Sequence, residues 1–356
     1  MRIANDLFMD ALKKKKPKNK NFPLYCTGYP EVEFLNAYIK SYNINPDPDD
    51  SYILNGKDFS LIKKMKFDAV SLWDFRRGKG GYTIDGEKNL KVDGWGRIMK
   101  DEWYTWDGVL KNEKILRDWD HLNLPKDSEF QKLKLFLEDM KEQLTFVLSL
   151  PGLFEKTWQS IGFISFSKLL KSQNFEFLKS LISFFSDYIK SLVRSLREVG
   201  AYIFLIADDL GYKKRLFIPK EIWKKLFYDK YKEIIQLIHQ KRDHKVIIHS
   251  DGYIMNMIDL FINLKFDGVQ GLEPTAGVDI HSLFRKFKDR ICFIGNLDVS
   301  SILSFGEPSQ VKEYILKLIN NAKLNGSPLV VSPTQQILSS VKIENIKAMI
   351  DITKGF

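Results

Sequence analysis

The residues best suited to chemistry lie in four short polar segments: Asp208-Asp209, His249-Ser250-Asp251-Gly252, Glu273-Pro274, and Gly295-Asn296-Leu297-Asp298. His249 and Asp251 are two apart, so on an extended chain both side chains point the same way. Such a pair is suited to binding a metal, or to orienting an imidazole for proton transfer. The plainer alternative is a histidine hydrogen-bonded to its own loop. Asp208 and Asp209 are adjacent and alternate faces if the strand continues, so one enters a site and the other braces a loop. Either is suited to acid–base work or to cationic substrate groups. Glu273 precedes a proline and is held extended. It is a candidate to complete a His249–Asp251–Glu273 metal set, although three residues on three loops are no spacing motif. Asn296 and Asp298 are suited to holding loops or substrate. Trp73 and Asp74 bring a further polar tip, followed by Arg76 and Arg77, whose guanidinium groups can grip carboxylates in pairs.

Each tip ends a short apolar run rich in β-branched and aromatic residues, the pattern of a buried parallel strand entering a loop. Strands are expected at 22–25, 68–73, 145–150, 202–207, 246–249, 268–272, 291–295 and 328–332, each followed by a segment of helical periodicity. Eight such units predict an α/β fold, a (β/α)8 TIM barrel over residues 1–356 as a single domain, with its polar tips converging at the carboxyl ends of the strands. An open doubly wound sheet is the alternative, but no G-x-G-x-x-G follows a strand, and no Walker A motif is present.

Residues 1–21 read as an amphipathic helix running into a basic segment. Residues 78–110 are rich in Gly, Asp and Trp and alternate apolar with polar residues, so a β-hairpin excursion between strands two and three is expected, with Asp93-Gly94 at its turn. Its tryptophans, Trp95, Trp103 and Trp106, either cap the site or fix the excursion to the barrel.

The formal charge of +10 comes from lysines spread through every helix, and a solvated exterior accounts for it. The Lys13–Lys20 cluster is not joined by any nucleic-acid motif, so no nucleic-acid partner is expected. No run approaches the ~18 apolar residues that span a bilayer, so no membrane association is expected. The two cysteines, Cys26 and Cys292, sit in apolar runs, which argues for a reducing, cytoplasmic setting. No G-x-S-x-G elbow surrounds any serine, which removes a serine-hydrolase reading.

The segments ADDLGYKKRLFIPKEIWKKLFYDKYKEII, VIIHSDGYI, FDGVQGLEPTAGVDI, FIGNLD and ENIKAM, in that order, resemble the uroporphyrinogen decarboxylase superfamily. That superfamily includes tetrapyrrole decarboxylases and corrinoid-linked methyltransferases. The match departs from the decarboxylases at two places. TGYPE follows the first strand where they carry an arginine-rich loop, and SPTQQI follows the eighth where they carry a histidine–glycine motif. It departs from the zinc methyltransferases too: His249 stands in place, but Asp251 replaces the first cysteine, and Thr334-Gln335 stand near the second. The resemblance therefore implies a zinc-free methyltransferase. Its methyl group would pass between a corrinoid (methylcobalamin) on a partner protein and a small-molecule acceptor, tetrahydrofolate-like or a thiol. Asp209, His249, Asp251 and Glu273 would be catalytic, and Trp73, Asp74, Asp208, Asn296 and Asp298 would contact substrate. The alternatives are a tetrapyrrole decarboxylase and a barrel that binds a tetrapyrrole or corrinoid without turnover.

Overall fold

The structure is a computed structural model that describes residues 4–15, 22–47, 49–73, 80–101, 103–173 and 175–355. In chain order the strands begin with β1 (Tyr25–Cys26), the small pair β2 (Ile53–Leu54) and β3 (Lys57–Asp58), and β4 (Ala69–Leu72). Next come β5 (Gly81–Asp85), β6 (Leu90–Asp93), β7 (Arg97–Lys100) and β8 (Trp103–Gly108), then β9 (Thr145–Pro151) and β10 (Ile203–Ala207). A second small pair, β11 (Gly211–Tyr212) and β12 (Arg215–Leu216), precedes β13 (Lys245–Ser250), β14 (Gly268–Gly271), β15 (Cys292–Leu297) and β16 (Leu329–Pro333).

Eight of these form one parallel sheet in the order β1-β4-β9-β10-β13-β14-β15-β16. Leu24 pairs with Val331 across the seam, and the Val331 N–H donates to the Pro23 carbonyl at 2.9 Å. The sheet thus closes into the expected (β/α)8 barrel. β1 begins later than expected, because Phe22 and Pro23 lead into the strand.

Strand parity separates two buried layers. Phe204, Ile206, Val246 and Ile248 face outward into the helix layer. Ile203, Leu205, Ala207, Ile247, Cys292, Ile294 and Val330 face the barrel axis. Phe8 and Leu12 of the Ala4–Leu12 helix are fully buried against that inner set and close one end of the barrel. A chain that packs apolar side chains along its axis leaves the carboxyl ends of the strands as the place for polar groups.

The excursion is larger than one hairpin: β5-β6-β7-β8 form a four-stranded antiparallel sheet. Asp93 does lie at the turn between β6 and β7, where its carboxylate accepts from the N–H groups of Trp95 and Arg97, each at 3.0 Å. The excursion is bolted to the Leu153–Ile161 helix. Tyr104 Oη donates to the Gln159 carbonyl at 3.1 Å, and the Leu110 N–H to the Ser160 carbonyl at 3.0 Å. A Cβ at Gly108 would lie 2.1 Å from that Ser160 carbonyl oxygen, so the two backbones meet only because residue 108 is glycine. Among the described residues, no helix is long and apolar enough to cross a membrane.

Candidate functional site

Carboxyl-end loops of the barrel bring three groups together. His249 Nε2 lies 3.6 Å from Asp251 Oδ1 and 4.0 Å from Asp209 Oδ1. The Asp251 N–H donates to Asp209 Oδ1 at 3.0 Å. Gly252 explains the approach. Its φ is +77°, and a Cβ there would lie 2.6 Å from the Gly211 carbonyl oxygen. The loops after β10 and β13 therefore cross at two glycines, which carries Asp209 to Asp251.

Glu273 lies beside this trio and is already engaged. Its Oε2 accepts from the Gly252 N–H at 2.8 Å and its Oε1 from Gln335 Nε2 at 2.7 Å. One nitrogen and two carboxylate oxygens, from His249, Asp209 and Asp251, lie within 4.8 Å of one another. Asp209 thus takes the third position in the set for which Glu273 was the candidate. An N,O,O set suits a hard-to-borderline divalent cation. A thiolate-rich zinc centre does not fit, since Cys26 and Cys292 are both buried within barrel strands.

Asp208 turns the other way and is fully buried. Its carboxylate accepts from the Phe154 and Glu155 N–H groups at 3.1 and 2.7 Å, and from the Tyr231 hydroxyl. It therefore caps the Leu153–Ile161 helix rather than meeting substrate. Burial pushes its pKa up to about 7 against the pull of these donors. Burial and the neighbouring Asp208 hold the Tyr231 hydroxyl protonated, so it donates to that carboxylate.

Asn296 and Asp298 also hold loops. Asn296 Nδ2 donates to the Leu272 carbonyl at 3.2 Å, and its Oδ1 accepts from Tyr314 Oη at 3.0 Å. Asp298 accepts from Thr275 Oγ1 and Ser300 Oγ, each at 2.6 Å. Both residues are buried, and these bonds give them the loop-holding role that the sequence offered beside substrate contact. Trp73 lines a separate cavity of about 450 Å³ with Tyr29 and Gln336, not the cavity above the trio. Asp74, Arg76 and Arg77 lie outside the described residues.

Above the trio opens a cavity of about 1120 Å³. Asp209, Asp251 and Glu273 form part of its floor. One wall is aromatic: Trp158 packs on Tyr104, Trp106, Phe163 and Phe217 with ring centroids 5.2–6.1 Å apart. Trp103 and Trp106 stand at the mouth, 79% and 54% exposed. Trp95, by contrast, is fully buried against Phe185 and Tyr188 and anchors the excursion. The three tryptophans thus divide between the two roles that the sequence suggested. Lys213, Lys214 and Arg215, on the β11–β12 turn, supply cations on a third side.

Several lining residues escaped sequence reasoning. Trp158 and Gln159 read as ordinary helix, and Tyr212 and Phe217 as connection. Gln270 was readable: it is the lone polar side chain of the strand Gly268–Gly271, on the inward parity, directly across the ladder from His249.

A family model described as uroporphyrinogen decarboxylase (URO-D) matches residues 159–356, more than half of the chain. A solved methyltransferase from Methanosarcina mazei is similar in fold. It has 14% sequence identity and a TM-score of 0.69, covering 100% of this chain and 99% of the other. A B12-independent methionine synthase from Shewanella sp. W3-18-1, in complex with selenomethionine, is 12% identical with a TM-score of 0.51, covering 94% and 98%. No curated protein sequence matches the chain.

Proposed function

The chain belongs to the uroporphyrinogen decarboxylase (URO-D) family, and from that membership we propose a corrinoid-linked methyltransferase that moves a methyl group between a corrinoid and a small acceptor. The observation that carries the reading is the convergence of Asp209, Asp251 and Glu273 at the floor of one large, aromatic-walled cavity, with His249 against the first two of them from beneath.

Carboxylates accept hydrogen bonds, so the floor suits an acceptor with N–H donors or a thiol, and the aromatic wall suits a flat ring such as a pterin. Lys213, Lys214 and Arg215 would attract a tetrapyrrole's carboxylates at one side, but at the floor the carboxylates of Asp209, Asp251 and Glu273 would repel them, which favours the methyl-transfer reading over the decarboxylase alternative. Methyl transfer is an in-line displacement. The acceptor's lone pair forms the new bond, the electron pair of the old bond stays with the leaving group, and the acceptor's proton must go elsewhere. His249 Nε2, between two carboxylates, is placed to take it. Holding the acceptor in line and excluding water supplies most of the rate. The open mouth at Trp103 and Trp106 leaves room for a corrinoid carried by a partner protein. Alternatively, Asp209, His249 and Asp251 would hold a divalent cation, which would lower the acceptor's proton affinity; Nε2 would then be a ligand and the proton would leave to solvent. The methyltransferase name of the Methanosarcina neighbour is consistent with this reading.

Incubation with methylcobalamin and either tetrahydrofolate or a thiol, followed by cobalamin absorbance, tests it. Acceptor-dependent loss of the methylcobalamin spectrum is expected. Conversion of uroporphyrinogen to less carboxylated products, with methylcobalamin untouched, would overturn it.

A further inference from the structure

We propose that Gln270 is a positioning residue that fixes the tautomer of His249, so that Nε2 is the free acceptor presented to the reacting atoms. This holds whichever acceptor the cavity takes.

Gln270 lies in β14 with its side chain fully buried at the axis of the barrel. Its Nε2 donates to Thr27 Oγ1 at 3.0 Å, to the Pro333 carbonyl at 3.2 Å and to the Thr334 carbonyl at 3.0 Å. The two carbonyl oxygens can only accept, so the amide cannot be turned around without setting its oxygen against them. The amide oxygen is thereby aimed at His249 Nδ1, with which it is hydrogen-bonded. An amide oxygen also only accepts, so Nδ1 must carry the proton.

The consequence appears on the other side of the ring. The neutral imidazole then has a lone pair on Nε2, facing Asp251 at 3.6 Å and Asp209 at 4.0 Å. A histidine free to choose would do the reverse and donate an Nε2 proton to those carboxylates. The barrel interior, acting through Thr27 and the Pro333–Thr334 backbone, imposes the less favourable tautomer. Three acceptor atoms then face one point, and that point is suited to a cation or to a proton taken from substrate. A glutamine serving only to fill the barrel would need no such orientation.

Long-range proton–nitrogen NMR on the full chain, labelled at the imidazole nitrogens, tests this at a pH where His249 is neutral. His249→Asn identifies the resonance by its loss. The expected pattern is a protonated Nδ1 and an unprotonated Nε2. In Gln270→Leu the proton is expected to move to Nε2, with methyl-transfer kcat falling about 10- to 100-fold. A protonated Nε2 in the wild-type protein would overturn the proposal. So would a folded Gln270→Leu variant with the tautomer unchanged. If that variant does not fold, the wild-type spectrum alone still decides the tautomer.

Discussion

The floor and the aromatic wall of the cavity are built in opposite ways. The floor comes from strand tips of one barrel: Asp209 after β10, Asp251 after β13, Glu273 after β14. Its position is set by parallel ladders whose register is continuous from β9 to β16. The wall comes from two insertions, β8 and the β11–β12 turn, and from the Leu153–Phe163 segment that follows β9; the three meet through rings. A floor of polar tips costs the fold little to alter but sets the chemistry. A wall of packed rings contributes to stability and decides what shape of ligand enters.

That contrast can be broken by substitution. The double variant Asp209→Asn/Asp251→Asn is expected to lower methyl-transfer kcat by about 10²–10⁴-fold, the usual range for lost acid–base function. Its thermal midpoint should stay near wild type, because both groups lie at the edge of the cavity. A large drop in the midpoint would mean that the floor is structural. Trp158→Ala should do the reverse. Trp158 is 5% exposed at the centre of the ring cluster, so chemical denaturation should show a loss of about 3–5 kcal/mol. Wild-type stability there would show that the wall does not hold the excursion in place.

Asp208→Asn sharpens the comparison between neighbours. The raised pKa of Asp208, about 7 in the folded state, means that the folded chain binds a proton more tightly than the unfolded chain. Its contribution is fully present below the unfolded value near 4 and is lost as pH rises to about 7. Denaturation of both proteins from pH 4 to 8 should show wild-type stability falling relative to Asp208→Asn across that window. A constant difference would place the titration elsewhere. The smallest effect is expected at Trp103→Ala: stability within about 0.5 kcal/mol, and KM for a ring-bearing acceptor raised a few-fold. An unchanged KM would remove Trp103 from the mouth.

The barrel was legible because buried parallel strands read as unbroken apolar runs, as in Ile203–Ala207 and Val246–Ile248, each stopped by a polar tip. Parity said that one of Asp208 and Asp209 faces the cavity but not which. The answer came from the Leu153–Ile161 helix, whose N-terminal amides capture Asp208. Asp209 was grouped with His249 as a catalytic residue, but its direct approach to Asp251 was hidden, because the loops crossing at Gly211 and Gly252 are 41 residues apart in sequence. The wall was legible only at Trp103 and Trp106; Trp158 and Phe217, which share no spacing with them, were not. Glu273 was grouped with His249 and Asp251 on tip position alone, and the Gly252 amide and Gln335 claim it instead.

The proposed methyl transfer takes place above Asp209 and Asp251, and His249 Nε2 lies against both of them. The most direct measurement is the single-turnover rate of acceptor-dependent methylcobalamin demethylation, compared between wild type and His249→Ala at matched folded concentration. A fall of about 10²-fold or more with the fold intact is predicted. Equal rates in the two proteins would contradict the account.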